Sequence, residues 1–398
     1  MKVVHVCTRY PPGPGGVERH VREVVIRMRK KGIDASVLTS DLYTEIPWAR
    51  LSPEVIKETK TSDGIPIHRH WAVSLPGDLH YPFLPGLSLD IRKERPDLVH
   101  VHTYGTYQMF SALFAERLNG IPYVVTAHYH PTWSIWGGAK RKRLREFYDR
   151  HAASHVLKHA SRLILQTKEE ERLMREVVPV LPPISFVPPG YTPIAPPHEG
   201  SSSFKDTFGI KGRYLLFVGR LASNKGLNLL AKSFASILKD YPDLSVAVVG
   251  EDAGHKEEIQ KEIRALGIAD RMKLVGWVED EKLLASGYRD AAALVLPSEY
   301  EAFGLVLLEA MAQGTPVIAS RVGGMPGVVD EGKNGLLFES GNASDLAGRI
   351  RKILDGPEDA RRMGAYGRDV TVPLHTWDRV VSSLEAIYQD VVRAREVK

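Results

Sequence analysis

Short apolar, β-branched runs alternate along the first half of the chain with longer stretches in which apolar positions recur every three or four residues. Val3 to Cys7, Ala35 to Thr39, Leu98 to His102, Tyr123 to Thr126 and Leu163 to Gln166 predict strands, while Val17 to Lys31 and Tyr107 to Asn119 predict helices. Strands that alternate with helices imply a parallel sheet with right-handed crossovers. The pattern restarts further on, with strands predicted at Tyr214 to Val218, Leu244 to Val249, Met272 to Val275, Ala293 to Leu296, Val317 to Ala319 and Leu336 to Phe338. Between the halves, Pro188 to Ser203 is rich in Pro, Gly and Ser and reads as a linker. The organisation expected is two doubly wound α/β domains, 1–190 and 204–376, joined by a linker at 191–203. In such sheets ligands lie beyond the carboxyl ends of the strands, so the loops after each strand are where chemistry is to be sought.

Composition adds constraints. A chain of 398 residues with 43% hydrophobic and 25% charged positions is of ordinary globular type and too long for one core. It contains no apolar run long enough to span a bilayer, and Pro11 interrupts the start before a signal-peptide core could form. Cys7 is the single cysteine, which excludes an internal disulfide, fits a cytoplasmic location and reads as a buried packing thiol. Asn and Gln are scarce, a depletion of thermolabile side chains of the kind heat-adapted proteins show. The net charge of +5 is unevenly spread: residues 1–190 carry 27 basic against 19 acidic side chains, and residues 191–398 carry 26 against 29. The basic excess of the first half suits an anionic partner, whether a phospholipid surface, a phosphorylated acceptor or nucleic acid.

Four places carry candidate chemistry. Gly15 and Gly16 close the loop after the first predicted strand and open a helix, where backbone N–H groups can approach an anion or a sugar; a tight turn is the plain alternative. The loop is not a dinucleotide fingerprint, which disfavours a nicotinamide site. His128 follows a strand at its mouth-side end. His100 and His102 share one face of their strand and read as packing or supporting residues, and with no third ligand at a recognisable spacing no metal is expected. Arg220 and Lys225 follow the strand Tyr214 to Val218, where two cations beside glycines suit a diphosphate neutralised without a metal.

The segment Pro297 to Ala312 is the most specific. Glu301 lies in a loop after a strand, Gly304 marks a turn, and an apolar helix follows, so the N–H groups of Leu305 and Val306 would face a phosphate at a helix N-terminus. Glu309, one turn inside that helix, needs polar partners to be buried. Two carboxylates beside a phosphate cradle suit hydroxyl-rich ligands, with a general acid/base pair as the competing interpretation.

In combination, Gly15-Gly16, His128, Arg220, Lys225, Glu301-x7-Glu309 and Val317 to Gly324 resemble the retaining glycosyltransferases of family 4. The resemblance spans nearly the whole chain. It implies a GT-B fold, two Rossmann-like domains facing a deep interdomain cleft, with a last helix from about Trp377 returning to the first domain. It implies transfer of a hexose-type sugar from a nucleotide-diphosphate sugar, UDP-sugar favoured over GDP- or ADP-sugar, to a hydroxyl acceptor, with no cofactor and no metal. On this resemblance Arg220 and Lys225 hold the diphosphate, Glu301 the sugar hydroxyls, Phe303, Gly304, Leu305 and Val306 the sugar and phosphate through their backbone, and Glu309 the ribose. Val278 meets the base, His128 contacts the sugar near the reacting centre, and Gly15 and Gly16 meet the phosphate or acceptor. Gly327 and Pro189 depart from the family pattern, which usually has Glu and Asn there. A nucleotide-sugar epimerase of the same fold and a non-catalytic nucleotide-sugar-binding subunit are the alternatives.

Trp133 and Trp136 precede the basic run Lys140, Arg141, Lys142 and Arg143. This composition suits an interfacial site on an anionic membrane and a lipid-linked acceptor; a solvated basic helix is the plain alternative. No nucleic-acid-binding motif accompanies the charge.

Overall fold

The structure, a computed structural model, describes residues 1–45, 48–74, 81–129, 138–194 and 203–396, with the side chains of 138–142 and 396 excepted. The chain forms two compact units, residues 1–190 with 377–398, and residues 191–376.

The first unit is built on seven parallel strands, β1 (Lys2–Val6), β2 (Asp34–Ser40), β3 (Ile67–His70), β4 (Leu98–His102), β5 (Tyr123–Thr126), β6 (Arg162–Leu165) and β7 (Ile184–Phe186), in the order β7-β6-β5-β4-β1-β2-β3. Alternation along β1 sends Val4 and Val6 into one apolar layer and Val3 into the other. Cys7, just beyond, is buried in that second layer, and burial pushes its thiol up to about 12, so it packs and does not react. The second layer also holds α1 (Gly16–Lys30) and the last helix, α6 (Trp377–Glu396). Val21, Val24, Val25 and Met28 of α1 cluster there with Val380, Val381, Leu384 and Tyr388 of α6. Lys31 Nζ lies 2.7 Å from Glu385 Oε2, and Tyr388 OH lies 2.5 Å from His100 Nδ1. The C-terminal helix therefore completes the first unit's core.

The second unit has six parallel strands, β8 (Arg213–Val218), β9 (Leu244–Val249), β10 (Met272–Gly276), β11 (Ala293–Leu296), β12 (Val317–Ser320) and β13 (Gly335–Phe338), in the order β10-β9-β8-β11-β12-β13. In both sheets the strand order reverses direction beside the first strand, the arrangement that opens a crevice at the carboxyl ends. The described start of the expected linker packs on this unit. Tyr191 is buried in its core, Ile194 O accepts from Gln313 Nε2 at 3.1 Å, and Tyr191 N donates to His375 O at 2.7 Å.

Candidate active site

In the second unit three loops converge at the carboxyl ends of β8, β11 and β12. After β8 the chain passes Gly219 and Arg220 into a short turn, Ser223–Lys225, and enters α4 (Leu227–Ile237) through Gly226. Gly226 has φ +70°, and a Cβ there would stand 1.9 Å from Pro297 O, so only glycine lets this turn lie against the loop after β11. Glu299 N donates to Asn224 O at 2.9 Å across the same approach. The loop after β12 is pressed equally close: a Cβ on Gly323 or Gly324 would lie 2.0 Å from the carbonyl oxygens of Glu301 and Ala302 respectively.

This packing fixes the acidic side chains. Glu301 Oε1 accepts from Lys225 Nζ at 2.5 Å and from Ser298 Oγ at 2.9 Å, and Ser298 is fully buried. The Arg220 guanidinium is exposed and has no hydrogen-bond or ion-pair partner among the described residues. Gly304, in the left-handed region at φ +84°, caps α5 (Leu305–Ala312). The N–H groups of Leu305 and Val306 belong to the first turn, where helix geometry supplies no intrahelical acceptor. Leu305 is exposed, Val306 half-buried and Phe303 buried. Glu309 Oε2 accepts from Tyr288 OH at 2.6 Å. Tyr288 is fully buried, and burial together with the Glu309 charge holds its hydroxyl protonated, as a donor. The partner that Glu309 needs thus comes from the neighbouring helix. At the ends of β8, β9 and β10 a cavity of about 260 Å³ is lined by Leu221, Gly250, Val275, Gly276 and Trp277, among others. Val278 directly follows this lining, its own side chain buried.

In the first unit, Gly15 and Gly16 start α1 as the sequence suggests, but the helix N-terminus is already occupied. The Glu18 carboxylate folds back so that a Cβ on Gly15 would lie 2.0 Å from its Oε2. Its Oε1 pairs with Arg9 Nη2 at 2.7 Å. Around a Cβ built on Gly16 there is open space. His128 has φ +44°, a conformation that leaves its ring half-buried just past β5. The Gln166 amide stands 3.1 Å from His128 Nδ1; with the amide donating, the proton of the neutral imidazole sits on Nε2, which is buried and has no hydrogen-bond partner. Burial, with His20 nearby, holds the His128 pKa well below the ordinary histidine range, so the ring is neutral.

Sequence reasoning missed the groups that hold these side chains. Glu170, 5% exposed, bridges Tyr129 N at 2.8 Å and Gln166 N at 2.6 Å, tying the segment after β5 to the segment after β6. Thr167-x-x-Glu170 is a capping-box spacing, and Thr167 Oγ1 does accept from Glu170 N, yet the carboxylate serves the neighbouring segments instead of its own helix. Ser298, three residues before Glu301, was legible in the same way; Tyr288 and Gln166 carried no local signal.

The fold gathers histidines that no sequence spacing links. His5, His100 and His102 form one group, His20, His102 and His128 a second, and His68, His70 and Asp90 a third, each with one potential ligand atom per residue within 4.8 Å of the others. His100 and His102 pack as read from the sequence: His100 bonds Tyr388 OH and Thr126 Oγ1, and His102 Nε2 lies 3.1 Å from His5 Nδ1. Trp133 and Trp136, and the side chains of Lys140, Arg141 and Lys142, lie outside the described residues; Arg143 is exposed.

Comparison with known proteins accords with this geometry. Residues 15–190 match the glycosyl transferase 4-like domain, and residues 201–370 match the glycosyl transferases group 1 family. A D-inositol 3-phosphate glycosyltransferase of Streptomyces avermitilis is 30% identical, the alignment covering 99% of this chain and 88% of that protein. One from Actinosynnema mirum is 30% identical over 98% of this chain and 97% of its own length. Among solved structures, a sucrose-phosphate synthase from Thermosynechococcus elongatus superposes with a TM-score of 0.78 at 22% identity, covering 99% of each chain. Anabaena HepE in complex with UDP gives 0.75 at 18% identity, covering 98% of this chain and 100% of that one. The chain belongs to the group 1, family 4-like glycosyltransferases of GT-B fold, enzymes that use a nucleotide sugar.

Proposed function

We propose that the protein is a retaining glycosyltransferase that moves a hexose from a UDP-sugar to a hydroxyl group of a phosphorylated acceptor, without a metal ion. The observation that carries this reading is the pair of anchored carboxylates, Glu301 between Lys225 and Ser298 and Glu309 on Tyr288, on either side of the open first turn of α5.

In this reading the diphosphate meets the Arg220 and Lys225 cations and the N–H groups of Leu305 and Val306. Glu301 and the backbone of Phe303 and Gly304 take the sugar hydroxyls. Glu309 takes the ribose, and the base enters the cavity beside Val278. His128 contacts the sugar near the reacting centre, and Gly16, where a Cβ would meet open space, faces the acceptor or a phosphate, with the Glu18 carboxylate lying against Gly15. The bond between the anomeric carbon and the diphosphate breaks with both electrons leaving on oxygen, where Arg220 and Lys225 stabilise the charge. The acceptor hydroxyl attacks the same face, and its proton passes to the departing phosphate oxygen.

The donor nucleotide is favoured by Anabaena HepE, solved with UDP and with UDP-glucose. A phosphorylated polyol acceptor is favoured by the name of the relatives and by the basic excess of residues 1–190. The test is to incubate the enzyme with UDP-glucose and inositol 3-phosphate, with and without a chelator, and to read the anomeric configuration by NMR. An inverted linkage, or dependence on a divalent ion, overturns the mechanism; failure with every UDP-sugar overturns the donor.

A second reading, association with an anionic membrane, has one observation in its favour. On the helix Gly138–Tyr148, Leu144 and Phe147 are 50% and 64% exposed beside exposed Arg143, an apolar pair flanked by basic charge. No helix among the described residues is long and apolar enough to cross a membrane.

A further inference from the structure

The third histidine group lies on the sheet edge, in residues that the reaction does not use. His68 and His70 alternate along the edge strand β3, and Asp90 faces them from the helix Leu87–Glu94. His68 Nε2 is 3.6 Å and His70 Nε2 3.7 Å from the same oxygen, Asp90 Oδ2. His70 is 5% exposed, and its Nε2 is buried with no hydrogen-bond partner.

A buried imidazole nitrogen with no hydrogen-bond partner therefore faces, at 3.7 Å, a carboxylate oxygen that a second imidazole also approaches. A cation held among the three would give the His70 nitrogen the partner it lacks.

We propose that His68 Nε2, His70 Nε2 and Asp90 Oδ2 form a three-ligand site for a divalent first-row transition metal of the zinc class. Two imidazoles and a carboxylate suit that class, and three protein ligands leave a position for water. With metal–ligand bonds of about 2.0–2.1 Å, tetrahedral ligand atoms stand about 3.3 Å apart, so the two histidine–carboxylate pairs need to close by a few tenths of an ångström, and the two histidine nitrogens lie within 4.8 Å of each other. Lys93 Nζ pairs with the other oxygen, Asp90 Oδ1, at 2.8 Å; it leaves Oδ2 to the metal while its charge weakens binding. A bound ion would fasten the edge strand to the helix.

The experiment is zinc chloride titrated by calorimetry into the metal-free full chain at neutral pH. It is repeated on His70→Ala, Asp90→Asn and His68→Ala, with His159→Ala as a control for surface histidines. The expected result is a saturable zinc site in the wild type and the control, weakened at least about tenfold in the other three, the lower bound set by what loss of an outer-shell partner costs. Zinc should also raise the thermal midpoint of the wild type and not that of the three variants. His68→Ala, a change at an exposed ring, keeps the test open if His70→Ala misfolds by circular dichroism. Absence of saturable binding in the wild type, or wild-type affinity in His68→Ala and Asp90→Asn, overturns the proposal.

Discussion

Lys225 Nζ lies 2.5 Å from Glu301 Oε1, so the cation expected on the diphosphate and the carboxylate expected on the sugar are bonded to each other. Each holds the other's position, and neither is a free charge waiting for ligand. The exposed Arg220 differs, and its guanidinium can turn to a diphosphate without giving up a protein partner. Lys225→Ala should therefore act twice, weakening nucleotide diphosphate affinity and loosening Glu301, whereas Arg220→Ala should weaken the diphosphate contact and leave Glu301 in place. Loss of a hydrogen bond to a charged group costs about 1.5–3 kcal/mol, and calorimetry with UDP measures it. Unchanged affinity in both variants removes the diphosphate assignment.

Tyr288→Phe tests the support of Glu309. It deletes the hydroxyl that donates to Oε2 and keeps the buried ring. Affinity for UDP should fall by about 1.5–3 kcal/mol, while affinity for a ligand that lacks the ribose, such as pyrophosphate, should hold. An equal loss for both ligands would show that the change acts on the fold, not on the ribose contact.

His128→Ala should separate chemistry from binding. If His128 contacts the donor sugar, kcat for transfer falls far more than UDP affinity. Wild-type turnover in this variant would end the assignment.

Gly226→Ala should disturb the site without touching a ligand. A Cβ there meets Pro297 O at 1.9 Å, and φ is +70°. The left-handed conformation costs about 1–2 kcal/mol and the overpacking about 1–3 kcal/mol more, to be read from denaturant unfolding. The loop after β11 must then shift, so donor affinity should fall as well.

The buried histidines predict acid lability. Burial, helped at His5 by His20, lowers the pKa of His5 to about 3 and of His20 to about 4, and holds those of His100, His102 and His128 well below the ordinary range. The unfolded chain, with histidine near 6.5, binds more protons than the native state between about pH 6.5 and 4, so stability rises with pH there and is lost on acidification. Each suppressed histidine contributes a slope of about 1.4 kcal/mol per pH unit. Chemical denaturation across that range should show the fall, and His20→Gln should flatten it.

All five strands and both helices read from the first half are present within a residue or two, because buried parallel strands and amphipathic helices leave strong patterns. The strand Ile67–His70 was not legible. Its sequence, Ile-His-Arg-His, has one apolar residue, and Arg69 and His70 are buried by tertiary packing that no local pattern foretells, as in the bond from Arg69 Nη2 to Pro11 O at 2.9 Å. The strand Ile184–Phe186 is too short to announce itself beside two prolines. At the site, spacing within one segment exposed Glu301, Gly304 and Glu309. The partners that make them usable, Lys225 and Tyr288, come from other segments, and Tyr288 looks like any core aromatic. The histidine groups were hidden for the same reason: His5, His20, His102 and His128 come from separate elements, and only the sheet order brings β1, β4 and β5 side by side.

The bond from Tyr191 N to His375 O has a consequence for synthesis. The second unit enters and leaves the chain at one point, so it is a closed insertion in the host unit. During translation it has all its residues once Thr376 has left the ribosome. The host still lacks the helix that covers α1, His100 and the face of its sheet, and must wait for the final residues. Release before Tyr388 would leave a finished guest on an open host, and a fragment of 191–376 is the piece expected to fold alone.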